Sequence, residues 1–160
     1  MKALQLTRPF QQQKLLLPPQ LFQYLSCMTT TDHVQYWLDA AGRDWDTVEA
    51  LQTVNPRATL VFAHWTLEKL SKALCVREHS GAIAPASDDV AELLAAAFIA
   101  LTPTQVELVG RVKAFHDDVV ESDPERPVAK LKEHETPLTL ITQVNTLRQH
   151  LLAILSKETV

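Results

Sequence analysis

The chain has 160 residues, enough for one domain with a real hydrophobic core and no need of a metal or disulfide to hold it together. It is 46% hydrophobic, has only 3 glycines and is rich in Leu and Ala, a composition of helices rather than sheets. A net charge of −4 and a pI near 5.8 argue against a broad basic surface tracking a phosphate backbone. Cys27 and Cys75 form no disulfide framework and lie in no CxxC, so the usage suits a reducing cytoplasm. No apolar run approaches the roughly 20 residues of a membrane span.

Residues 1–27, MKALQLTRPFQQQKLLLPPQLFQYLSC, differ in texture from the rest. They are rich in Gln and Leu, contain three prolines and have no acidic residue. Two readings are open. Met28 is the biological start and the stretch is an upstream extension, or the stretch is an arm that packs its Leu and Phe residues on the rest. Pro18 and Pro19 break its apolar run, which argues against a secretory signal.

The first helix is expected from Asp32 to about Val54. Val34, Trp37, Leu38, Ala41, Trp45, Val48 and Leu51 recur at steps of three and four, with Thr31 or Asp32 as cap. Asn55-Pro56 combines an N-cap with a proline at the first helical position, where its missing N–H costs nothing. The second helix runs to about Glu78 on a stripe of Leu60, Ala63, Leu67, Leu70 and Leu74, and Gly81 offers a left-handed end. Cys75 falls on the apolar side and reads as a small hydrophobe. Ser87 opens a third helix over Asp88 to about Ala100. Thr102-Pro103-Thr104-Gln105 has the form of a capping box, and a fourth helix follows with Val106, Val109, Val112 and Phe115 inward. It fades in the acidic DDVVESDPER, and a charged loop spans about 121–135. Thr136-Pro137 then starts a last helix carrying Leu138, Ile141, Val144, Leu147 or Arg148, Leu151, Ile154 and Leu155. The fold class is all-α, an up-down bundle of four to five helices.

His64, Glu68 and Lys72 fall at i, i+4 and i+8 on the second helix, beside the Leu stripe. By itself this is a solvated face with one weak ion pair. The larger pattern adds more. WLDAAGRDWDTVEAL, a break, and FAHWTLEKLSKALCV resemble the HEPN family, the nucleotide-binding helical domains of higher eukaryotes and prokaryotes. The matching residues are Ala41, Asp44, Trp45 and Val48, then Phe62, His64, Leu67, Glu68, Lys69, Lys72 and Ala73. The likeness covers about 32–158. It departs from the family at Thr66, at Ser87-Asp88 where His-Asp is usual, and at Val112 where Asn is usual.

The resemblance implies a HEPN-like bundle, a homodimer associated with a nucleotide or RNA, and a minimal nucleotidyltransferase as a possible partner. It places His64, Glu68, Lys69, Lys72 and Asp44 on a nucleotide- or partner-binding face. Active members are metal-independent, toxin-like ribonucleases with an Arg-x4-6-His motif near the fourth helix. There His moves a proton and Arg holds the scissile phosphate. Two spacings match here, Arg57 to His64 and Arg111 to His116, and only the second lies in the right helix. Five residues apart on a continuous helix, Arg111 and His116 point about 140° apart. Asp117 and Asp118 adjoin them. In a second register AFHDDVVESDP aligns with a family run whose arginine is absent here. The readings are therefore a site without its full catalytic motif, a ribonuclease using Arg111 and His116, and a structural interaction module with no nucleic-acid role. No cofactor is expected. No metal is expected either, since the histidines make no HExxH or paired-ligand spacing.

Overall fold

A computed structural model describes residues 28–81, 83–121, 125 and 128–157. The two readings of residues 1–27, and Cys27, lie outside them. All regular structure in the described residues is helical: α1 Thr30–Leu51, α2 Pro56–Glu78, α3 Val90–Ala96, α4 Pro103–Val120 and α5 Pro137–Ser156.

Each helix begins where a side chain can take up an orphan N–H. Thr29 Oγ1 accepts from Asp32 N while the Asp32 carboxylate accepts from Thr29 N, a reciprocal box. The cap is thus Thr29 and not Thr31 or Asp32, because Asp32 serves as the third helical residue. Asn55, Thr102 and Thr136 cap α2, α4 and α5, each followed by proline at the first position. In α3 the Asp89 carboxylate accepts from Ala91 N and Glu92 N, so the helix starts later than Asp88. It also ends earlier than Ala100. Ile99 N returns to Leu94 O and Phe98 N to Ala95 O, and Phe98 takes φ 59°. That is a Schellman closure with phenylalanine where glycine is usual. α2 closes the same way, with Ser80 at φ 54° and Gly81 N bonded to Val76 O. A Cβ on Gly81, itself at φ +85°, would lie 2.6 Å from Thr30 Oγ1.

α2 is the centre of the bundle, packing against α1, α3, α4 and α5. His33 at the start of α1 bonds Gly81 O beyond the end of α2, so α1 and α2 are antiparallel. Arg57 near the start of α2 lies over Phe115 near the end of α4, so this pair is antiparallel too. Arg77 at the end of α2 donates to Ile154 O at the end of α5, so those two run the same way. The long helices therefore go up, down, up, down, with short α3 set between the second and third. The core is Trp45, Val48, Leu60, Leu67, Leu70, Leu74, Leu93, Leu94, Val112, Phe115, Leu140, Val144 and Leu151, drawn from all five helices. Val106 and Leu138, expected inward, are about half exposed, while Leu140 is fully buried. Each exposed residue lies in the first turn of its helix, ahead of the point where the neighbouring helices close in. Cys75 is buried, its thiol donating to Leu93 O at 3.0 Å, and burial pushes it up to about 11. Among the described residues no helix is long and apolar enough to cross a membrane.

Candidate functional site: a buried histidine pair beside a locked arginine

His64 is fully buried in the bundle, whereas Glu68 and Lys72, farther along the same stripe, are partly exposed. Eight residues of α-helix turn the side chain by about 80°, enough to carry one stripe from one neighbour to another. Lys69 and Lys72 meet α1. Lys69 pairs with Asp44 across the α1–α2 seam, and Lys72 pairs with Glu68 along α2. The Lys72 ammonium also sits 5.2 Å from the Trp37 ring centre, and that of Lys69 sits 5.9 Å from Trp65. The seam holds two neutralised ion pairs, and a phosphate would have to displace a carboxylate to use either lysine.

His64 turns the other way, into the bundle. It is fully buried, and neither ring nitrogen has a hydrogen-bond partner among the described residues. Its ring lies against that of His116 in α4, with centroids 4.5 Å apart and planes at 37°. Desolvation, aided by His116 and Lys113, holds His64 down to about 4, so it is neutral at physiological pH. His116 is buried with both nitrogens engaged. Asp117 is buried and its Oδ1 lies 2.9 Å from His116 Nδ1. A carboxylate only accepts, so Nδ1 carries the proton. The Nε2 lone pair then accepts the indole N–H of Trp65 at 3.0 Å. Lys113 donates to Asp117 (3.2 Å) and to Asp88 (3.0 Å), which brings the lead-in to α3 against the pair.

Arg111 lies elsewhere. Its two terminal nitrogens donate to the two carboxylate oxygens of Glu135, one at 2.8 Å, in a fork that is only 18% exposed on the arginine and 9% on the glutamate. Arg111 holds the Glu135 carboxyl down to about 2, and Lys132 N also donates to it. Arg111 and His116 share no partner, as their 140° separation on an unbroken helix requires. α4 continues through Asp117 and Asp118 to Val120, so the acidic run is helix at first and not loop. Arg57 likewise lies apart from His64, against Phe115, Ala129 O and Asp118.

Reading by spacing missed Trp65, Asp88, Asp117 and Glu135. A signal existed for the histidines themselves. His64 is four residues after Leu60 and three before Leu67, and His116 is four after Val112, so both sit on apolar stripes. The convergence of α2, α4 and the lead-in to α3 leaves no local spacing to find. Comparison of the chain with protein-family models, with curated proteins and with solved structures gives no match in any of the three.

Proposed function

We propose that this chain is a HEPN-like binding module without metal-independent ribonuclease activity, acting as a homodimer or as the partner of a minimal nucleotidyltransferase. The observation that carries this reading is the engagement of Arg111. A catalytic arginine must offer its fork to a phosphate, and here both arms are spent on Glu135. His116, with its lone pair on an indole and its proton on Asp117, is not positioned as a general acid or base for an external substrate. The binding role itself rests on the resemblance of α1 and α2, whose Asp44, Glu68, Lys69 and Lys72 form the seam expected to meet a nucleotide or partner. Light scattering together with anisotropy of labelled ATP and RNA tests it. The reading expects about 36 kDa for two copies of a 17.9 kDa chain, and nucleotide or RNA binding that weakens when Lys69 and Lys72 are both changed to Ala. A monomer that binds neither ligand at low salt, and that fails to associate with a nucleotidyltransferase of this class, overturns it in favour of a structural interaction module.

A further inference from the structure

We propose that His64, His116 and Asp88 form a site for a divalent transition metal of the zinc class, pinning α2, α4 and the lead-in to α3 together. One donor atom from each of these residues lies within 4.8 Å of the other two. A tetrahedral zinc with bonds of about 2.0–2.1 Å places its donors about 3.4 Å apart, so the three close by at most about 1.4 Å. Asp88 supplies that movement. Its side chain is 50% exposed and precedes α3, so it turns inward without disturbing the core.

A second observation points to the same ligand. His64 is fully buried, with both ring nitrogens lacking a partner among the described residues. Buried polar atoms are nearly always bonded, and an unpartnered imidazole nitrogen within 4.8 Å of a second histidine's nitrogen and a carboxylate oxygen is what a metal ligand offers. The surroundings suit a metal in three further ways. Asp117 on His116 Nδ1 is the carboxylate–histidine arrangement that fixes the tautomer of a metal-binding histidine and leaves Nε2 as the donor. His64 is already neutral, as a ligand must be. Finally, the Lys113 ammonium bridges Asp88 and Asp117, so a cation is already drawn to this spot. On binding, the metal takes Asp88 from Lys113, which keeps Asp117, and takes His116 Nε2 from the Trp65 indole. Water completes the coordination. Two neutral imidazoles, one carboxylate and a dication leave one positive charge at the metal, beside a Lys113–Asp117 pair that is itself neutral.

The test uses the full chain, stripped with EDTA, desalted and titrated with Co²⁺ and then with Zn²⁺. Visible d–d absorption reports the cobalt, and calorimetry the zinc. One equivalent is expected, with a rise in Tm. The indole displacement predicts a change in tryptophan fluorescence that disappears in Trp65→Phe while the cobalt absorption stays. His64→Ala and Asp88→Asn should each weaken binding at least tenfold, and His134→Ala, on an exposed turn, should not. Because His64→Ala alters the core, Asp88→Asn carries the test, with far-UV circular dichroism confirming its fold. The proposal falls if the parent binds no metal at micromolar concentration, or if a folded Asp88→Asn binds as tightly as the parent.

Discussion

Replacing Arg111 by Met removes the fork that holds Glu135 and leaves a carboxylate that is only 9% exposed with the Lys132 amide as its remaining hydrogen-bond donor. Breaking a buried pair from one side costs about 3–5 kcal/mol, and this pair is slightly wet, so about 2–3 kcal/mol is expected at pH 7. The pH dependence follows from Glu135, held at about 2 against an ordinary 4.5 by the Arg111 hydrogen bonds first. A depressed carboxylate stabilises the fold above its unfolded value and loses that contribution as pH falls through its folded one. Between pH 7 and pH 3 the unfolded Glu135 is almost fully protonated and the folded one is not, which removes about 2 kcal/mol from the parent. In Arg111→Met the Glu135 value returns toward 4.5 and this share of the acid loss disappears. The stability gap between parent and variant should therefore shrink from about 2–3 kcal/mol at pH 7 to about 1 kcal/mol or less at pH 3. Urea unfolding followed by far-UV circular dichroism at the two pH values measures it. Arg111→Met/Glu135→Leu should recover much of the loss, since replacing both partners leaves no orphaned charge. A gap of equal size at both pH values, or no gap at pH 7, refutes the reasoning that Arg111 is a structural residue committed to Glu135.

Other outcomes follow from single positions. Phe98 is 78% exposed and held at φ 59°, so Phe98→Gly removes left-handed strain of about 1–2 kcal/mol at the loss of its ring contact with His79. A differential scan should show Tm rising by about 2–4 °C. Thr102→Ala removes the hydroxyl that accepts from Gln105 N, leaves Thr102 N donating to the Gln105 side chain, and should cost about 1 kcal/mol in chemical unfolding. Leu67→Ala empties a fully buried position on the central helix and should cost about 2–5 kcal/mol in the same assay. Cys75, pushed up to about 11 by burial, should resist alkylation at pH 8 in the native protein and react once urea unfolds it, as peptide mapping would show.

Three of the five helix starts were legible because each is written in neighbouring residues. Asn55-Pro56, Thr102-Pro103 and Thr136-Pro137 name both the cap and the first turn. The ends were less so. α3 stops at Ala96 because Phe98 adopts a left-handed conformation that nothing about phenylalanine announces. Thr29 escaped notice because Asp32 was read as a cap and not as the partner of one. The seam between α1 and α2 was half legible. Glu68 and Lys72 pair along one helix, but Asp44 and Lys69 meet only through the packing of two. The histidine pair was least legible, since His64, Asp88 and His116 lie 24 and 28 residues apart and only the bundle brings them together. Arg111 shows the reverse difficulty. It satisfies a spacing with His116, yet its partner is Glu135, a residue in a loop that no periodicity could place.

The most direct measurement is RNA cleavage in EDTA by the parent, Arg111→Ala and His116→Ala, each purified over two orthogonal columns. An arginine committed to Glu135 and a histidine committed to Trp65 and Asp117 predict intact RNA in all three reactions. Cleavage by the parent that is lost in both variants would contradict the account and make Arg111 and His116 a working ribonuclease site.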